Sequence, residues 1–183
     1  MNKIKLSGIA VAIALSLGTM SSHAQVTVGG AAMYPSKDII DNAVNSKDHT
    51  TLVAAVKAAG LVDTLKGPGP FTVFAPTNDA FAALPTGTVD KLLMPENKAM
   101  LGQVLTYHVV AGNLDAAALK RQIAAGNGSA KLKTVAGGTL TATASGDTIS
   151  ISDEKGGASK VTIANVKQSN GVIHVVDHVL MSN

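Results

Sequence analysis

His174 and His178 lie four residues apart with Asp177 beside them, the best metal-ligating hint in the chain. On a helix that spacing would set both imidazoles on one face, where they could chelate zinc. On a strand it separates them by about 13 Å, at roughly 3.3 Å per residue, beyond the reach of one ion. Val172 to Met181 is apolar and rich in β-branched residues, so an extended chain is predicted and the metal reading falls. A second pair, Tyr107-His108, carries polar tips on apolar bodies. It is a candidate binding site, but it is equally able to tie a helix end to a neighbouring loop. Thr77, Asn78 and Asp79 follow Pro76 and are helix-capping types. Asp153-Glu154 are adjacent carboxylates in a segment that reads as a turn. The chain has no G-x-S-x-G elbow, Walker A loop, H-E-x-x-H, EF-hand loop or helix-opening G-x-G-x-x-G. With no cysteine there is no thiol nucleophile, thiolate metal site or disulfide. No catalytic residue, metal or cofactor is predicted.

The 183 residues correspond to one ordinary domain, and an apolar content of 46% is enough for a packed core. The aromatic residues are only Tyr34, Phe71, Phe74, Phe81 and Tyr107, which argues against platforms for stacking bases or sugars. Lys3 and Lys5, the apolar run Leu6 to Gly18, and Ser22-His23-Ala24 form a secretory signal peptide with cleavage after Ala24. A membrane anchor would need about 20 apolar residues. Export of the remainder would reduce the formal charge from +3, leaving thirteen basic against twelve acidic residues, a net of +1. No polybasic cluster survives, so nucleic acid is a poor partner. The predicted location is secreted or periplasmic, with no transmembrane segment after cleavage.

The elements follow from punctuation and period. Residues 25–35 read as a flexible, Gly-containing lead-in. Ser36 is placed as the cap of a first helix, and Asp48 or Thr50 as the cap of a second that Gly60 ends. Gly67-Pro68-Gly69-Pro70 breaks the helical run, and Phe71 to Ala75 reads as a short buried strand. Thr77 or Asn78 caps a brief helix. A helix from Glu96 to Val109 is expected to carry Met100, Leu101, Val104, Leu105 and His108 on one face, and Asp115 caps a last helix ending at Gly126. Beyond Gly128 the apolar period changes from 3.6 to 2. Strands are predicted at 130–135, 139–144, 148–152, 160–166 and 172–181, the last apolar on both faces and therefore central. Helices followed by antiparallel strands define an α+β domain over residues 36–182.

Three segments carry a resemblance. Phe71-Thr72-Val73-Phe74-Ala75-Pro76-Thr77-Asn78-Asp79-Ala80-Phe81 is similar to the first signature of the fasciclin (FAS1) domain, with Phe71, Phe74, Pro76, Thr77, Asn78 and Phe81 as motif residues. Tyr107-His108 resembles its tyrosine-histidine motif. Gly171 to Leu180, containing His174 and Asp177, resembles its second signature. The resemblance implies a FAS1 wedge or sandwich of mostly antiparallel strands with short helices packed around it. It also implies a non-catalytic, small exported bacterial module for cell-surface or extracellular-matrix adhesion, with a protein or matrix partner. The alternative it allows is a carrier of an apolar small molecule, a carotenoid or lipid. In some animal members an Asp-Ile dipeptide beside the second signature serves receptor binding; here that place reads Asp177-His178, and Asp38-Ile39 lies elsewhere. Asn127-Gly128-Ser129 fits the N-glycosylation acceptor pattern.

Overall fold

The computed structural model describes residues 25–182, so the predicted signal peptide lies outside the described residues. The segment read as a flexible lead-in is instead a hairpin, β1 (Thr27–Val28) and β2 (Ala31–Ala32), turned by Gly29-Gly30. Apolar anchors order it: Val28 and Met33 are buried, and Gly29 accepts a hydrogen bond from the Lys47 amide at 3.2 Å. Six helices and two strands follow, joined by short turns. These include α1 (Ile39–Ala43), α2 (Thr50–Ala59), α3 (Val62–Lys66), β3 (Phe71–Pro76), α4 (Asn78–Ala82), α5 (Thr88–Leu93) and β4 (Val109–Ala111). Between α5 and β4 runs α6 (Lys98–Tyr107), preceded by a 3-10 turn with Pro95 at its start. After α7 (Ala116–Ala125) come β5 (Ser129–Lys133), β6 (Thr139–Ser145), β7 (Thr148–Ser152), β8 (Ala158–Gln168) and β9 (Gly171–Val176).

The helix ends obey local chemistry, with two exceptions to the expected caps. Asp38, not Ser36, caps α1, because its carboxylate accepts from the Asp41 amide at 2.8 Å. Neither Asp48 nor Thr50 caps α2 with its side chain. Gly60, at φ 73, ends α2 as expected. Thr77 caps α4 and Asp115 caps α7, accepting from Ala80 N at 3.3 Å and Ala118 N at 2.7 Å. Met100 is 56% exposed rather than buried, since the inward stripe of α6 is Leu101, Val104 and Leu105.

Seven strands form one sheet in the order β4-β3-β9-β8-β7-β6-β5. All neighbours are antiparallel except β3 and β9, which run parallel in register from Phe71↔Gly171 to Pro76↔Val176. Val110 of β4 bridges Thr134 just beyond β5, so the two ends of the sheet meet and the sheet curls into a wedge. Every residue of β9 is buried, as its apolar character on both faces requires. The alternation splits the interior in two. Val73, Ala75, Ile173 and Val175 face the helices α1, α2 and α6, whereas Phe74 and Val176 face the inside of the curl with Leu119, Leu140 and Ile151. β9 stops at Val176 rather than running to Met181: the chain bends at Asp177-His178, and Leu180 returns to the second core.

Close backbone approach governs which glycines are replaceable. A Cβ on Gly171 would lie 2.0 Å from the Phe71 carbonyl oxygen, whereas one on Gly102, inside α6, meets nothing within 4 Å. Gly171→Ala is therefore expected to lose at least about 2 kcal/mol through overpacking at the β3–β9 junction. Gly102→Ala is expected to gain about 0.5–1 kcal/mol. Urea unfolding of the two variants beside the parent checks both signs.

Candidate functional site

The tyrosine-histidine pair sits where α6 hands over to β4. Tyr107 is fully buried, and its hydroxyl donates to the Thr139 carbonyl at 2.9 Å while accepting from the Glu154 amide at 3.2 Å. One side chain thus joins α6 to the start of β6 and to the β7–β8 turn. Gly138 makes room for the ring, since a Cβ there would come within 2.5 Å of it. Burial pushes the Tyr107 hydroxyl above its ordinary pKa, outweighing the Glu154 amide.

His108 is 2% exposed and has both ring nitrogens engaged. Nδ1 lies 2.8 Å from the Val104 carbonyl, which can only accept, and Nε2 receives the Leu180 amide at 2.9 Å. The ring is therefore neutral, with its proton on Nδ1. Burial lowers its pKa to about 4, the Val104 carbonyl opposing only in part. The returning C-terminal segment is thus held against α6 by one imidazole.

His174 reproduces the arrangement with the opposite tautomer. Nε2 donates to the Leu114 carbonyl at 2.7 Å, and Nδ1 accepts a long bond of 3.4 Å from the Asn165 amide. The ring stacks on Phe74 with centroids 5.7 Å apart, and burial again lowers the pKa. Asn165, at φ 61 within an irregular stretch of β8, also accepts from the Ala116 amide at 2.7 Å. The first turn of α7 is thereby fastened to the central strands from two sides.

Asp177 and His178 close β9. Asp177 Oδ1 accepts from the Lys160 amide at 2.7 Å, the Ser159 hydroxyl at 3.1 Å and His178 Nδ1 at 2.8 Å. Burial raises the carboxyl's pKa, but these three donors outweigh it and hold it below the usual range. Serine, histidine and aspartate meet here, yet the Ser159 hydroxyl donates to the aspartate and not to the imidazole, the reverse of a nucleophile-activating relay. His174 is taken up inside the fold and His178 lies past the strand end, so no ion is shared between them. No cluster of three or more histidine, aspartate or glutamate side chains capable of holding a metal occurs among the described residues.

The first signature is spent on structure too. Phe71 is half-buried, Phe74, Pro76 and Phe81 are buried, and Thr77 caps its own helix. Asn78 caps a different one: its Oδ1 accepts from the Thr51 amide at 3.0 Å and the Thr50 hydroxyl at 3.2 Å, and its Nδ2 donates to the Lys47 carbonyl at 2.8 Å. Asn78 therefore supplies the side-chain cap that α2 lacks locally. Sequence reasoning also missed Asn42 and Asn170. Asn42 binds the Tyr34 backbone at 3.0 and 2.8 Å and pairs with Gln168; Asn170 binds Ile39 N, Leu65 O and Gly67 O. No local pattern marks them, since their partners lie up to 131 residues away.

Residues 47–182 match the Fasciclin domain family, and the chain belongs to it. It is 45% identical over 163 residues to Protein sll1483 of Synechocystis, covering 88% of this chain and 82% of that protein. It is 36% identical to the immunogenic protein MPB70 of Mycobacterium bovis, over 76% of this chain and 66% of that protein. It is 34% identical to the transforming growth factor-beta-induced protein ig-h3 of Sus scrofa, of whose length the alignment spans 19%. The fold matches the FAS1 domain pair of the insect cell adhesion molecule fasciclin I, with TM-score 0.71 over 79% of this chain and 51% of that chain, at 18% identity.

Two outcomes test these assignments. A depressed His108 pKa means that the unfolded chain takes up the proton first as acid is added. Its contribution is present above the ordinary value of 6.5 and is lost as pH falls towards about 4. The loss is about 3 kcal/mol over that window. His108→Gln should flatten the pH dependence by about one proton near pH 5, measured by urea unfolding at pH 7, 5 and 4; an unchanged slope refutes the assignment. Asn78→Ala should cost about 1 kcal/mol by removing the cap of α2, with amide exchange rising first at Thr51.

Proposed function

We propose that the protein is a non-catalytic, exported interaction module that contributes to cell-surface or extracellular-matrix adhesion. Family membership and the likeness to cell adhesion proteins support this reading. The observation that carries it is the saturation of the motif side chains. Tyr107, His108, His174 and Asp177 meet partners from within the fold at their polar tips, so the signatures build a scaffold and leave chemistry to no exposed group. Tyr107 and His108 then support binding through the shape they maintain. The chain acts after removal of residues 1–24, in the periplasm or outside the cell, engaging a protein or matrix component without a cofactor.

The carrier alternative gains no support from the interior. The apolar space under the helices, lined by residues such as Ile40, Val56, Leu105 and Ile173, has a volume of about 60 Å³. A cavity that holds one benzene is about 150 Å³. A carotenoid or lipid chain would have to displace the helices to enter this space.

Deleting the gene in its own host should reduce attachment and aggregation of the cells. The mature protein recovered from the envelope or medium should begin at Gln25. Normal attachment in the deletion strain, together with an envelope pull-down that recovers no partner, would remove the proposal.

A further inference from the structure

The outer face of β5 to β8 is unusual in composition and order. Along these strands the buried positions are Ala130, Leu132, Leu140, Ala142, Ile149, Ile151 and Ser159, which point into the wedge. The alternate positions lie on the opposite face, with Ser129 and the lysines exposed and Thr139, Thr141, Thr143, Ser150 and Ser152 half-buried, and fall into rows fixed by the strand register. One row runs Lys131, Thr141, Ser152, Ala158; the next runs Ser129, Thr143, Ser150, Lys160; Lys133 and Thr139 begin a third. Neighbouring strands are about 4.8 Å apart and alternate residues about 6.8 Å, so the rows form a grid roughly 14 Å on a side. The grid carries hydroxyls and ammonium groups and almost nothing else.

Its charge is one-sided. The four strands contain Lys131, Lys133, Lys160 and Lys167 but no aspartate or glutamate. Lys131, Lys133 and Lys160 are exposed, and none pairs with a carboxylate among the described residues. The carboxylates at the ends of the grid keep their charge but hydrogen-bond elsewhere, and among the described residues none of them pairs with these three ammonium groups. Asp153 accepts from Lys155 N, Gly157 N and Met181 N, Glu154 from Thr139 N, Asp177 from Lys160 N, and Asp147 pairs with Lys120. A chain of net charge +1 after export thus sets three ammonium groups without carboxylate partners on one hydroxyl-bearing face.

We infer that this face binds an acidic polysaccharide, a polymer that offers carboxylates to the lysines and hydroxyls to the serine and threonine grid. The inference rests on the adhesion reading and names its partner class. Charge complementarity selects a polyanion. The face holds no aromatic residue to stack nucleobases and no large apolar side chain to enter a membrane, which favours a hydroxylated polymer over nucleic acid or lipid.

The test is retention of the purified exported protein on immobilised alginate, a linear polyuronate, with dextran as the neutral control. Retention on alginate alone is expected, lost as salt shortens the screening length. The exposed triple variant Lys131→Gln, Lys133→Gln, Lys160→Gln should bind at least tenfold more weakly. Lys57→Gln, Lys91→Gln, Lys98→Gln, on the helices, removes equal charge and should bind like the parent. Thr141→Val, Thr143→Val and Ser150→Ala together should weaken binding severalfold at unchanged salt dependence. Absence of retention, equal loss in both lysine variants, no effect of the hydroxyl variant, or equal binding to phosphatidylglycerol vesicles or single-stranded DNA would each overturn the inference. A protein that restores attachment yet passes through alginate removes this inference alone. A deletion strain that attaches normally removes the adhesion reading and leaves alginate retention standing.

Discussion

The parallel pairing of β3 with β9 is the constraint on which the rest of the molecule depends. It joins residues 71–76 to residues 171–176, about a hundred positions later, and every other element is arranged around that seam. Because the pair is covered on both faces, its side chains must supply two interiors at once, and the helices and the curled strands each take one. Backbones meet so closely at its beginning that only glycine fits at position 171, and Asn170 holds the turn before it by three backbone contacts. Loop-closure entropy opposes so distant a contact. The dense burial of Phe74, Val175 and Val176 offsets it.

The buried histidines extend the same seam outward. His174 lies on β9 itself and fastens the approach to α7, while His108 follows α6 and fastens the segment that leaves β9. Each uses one nitrogen as donor and the other as acceptor, a division that only the neutral ring can make. Their protonation behaviour is therefore a property of the scaffold, and the same environment that makes them look chemically poised removes them from reactivity.

Much of this was legible in the chain. The change of period after Gly128, the proline brackets around Phe71 to Pro76 and the doubly apolar character of β9 are local signals with local causes, and they gave the α+β order and the central strand. The caps at Thr77 and Asp115 were readable for the same reason. What failed was nonlocal. Asn78 looked like a cap for its own helix, but Thr77 filled that place and Asn78 reached back to α2. Met100 fitted an apolar stripe by spacing, yet no element packs over its side of α6. The hairpin at residues 27–32 has a composition typical of flexible chain, and its order comes from Val28 and Met33 finding a core built by residues far downstream. The end of β9 was misplaced because Asp177 terminates it by collecting donors from β8, which no pattern within the strand reveals. The grid of hydroxyls was likewise visible only once the register between strands was known.

The meeting of β4 with the chain beyond β5 has a bearing on how such a domain makes contacts. The Val110 bridge to Thr134 and the bond from Val135 N to Val109 O mean that the outermost strands spend part of their main-chain capacity on one another. Edge-to-edge templating, the commonest route by which sheet proteins polymerise, is correspondingly discouraged. Main-chain pairing is thereby closed off at this corner of the sheet, which leaves contact there to side chains carried on the framework beneath.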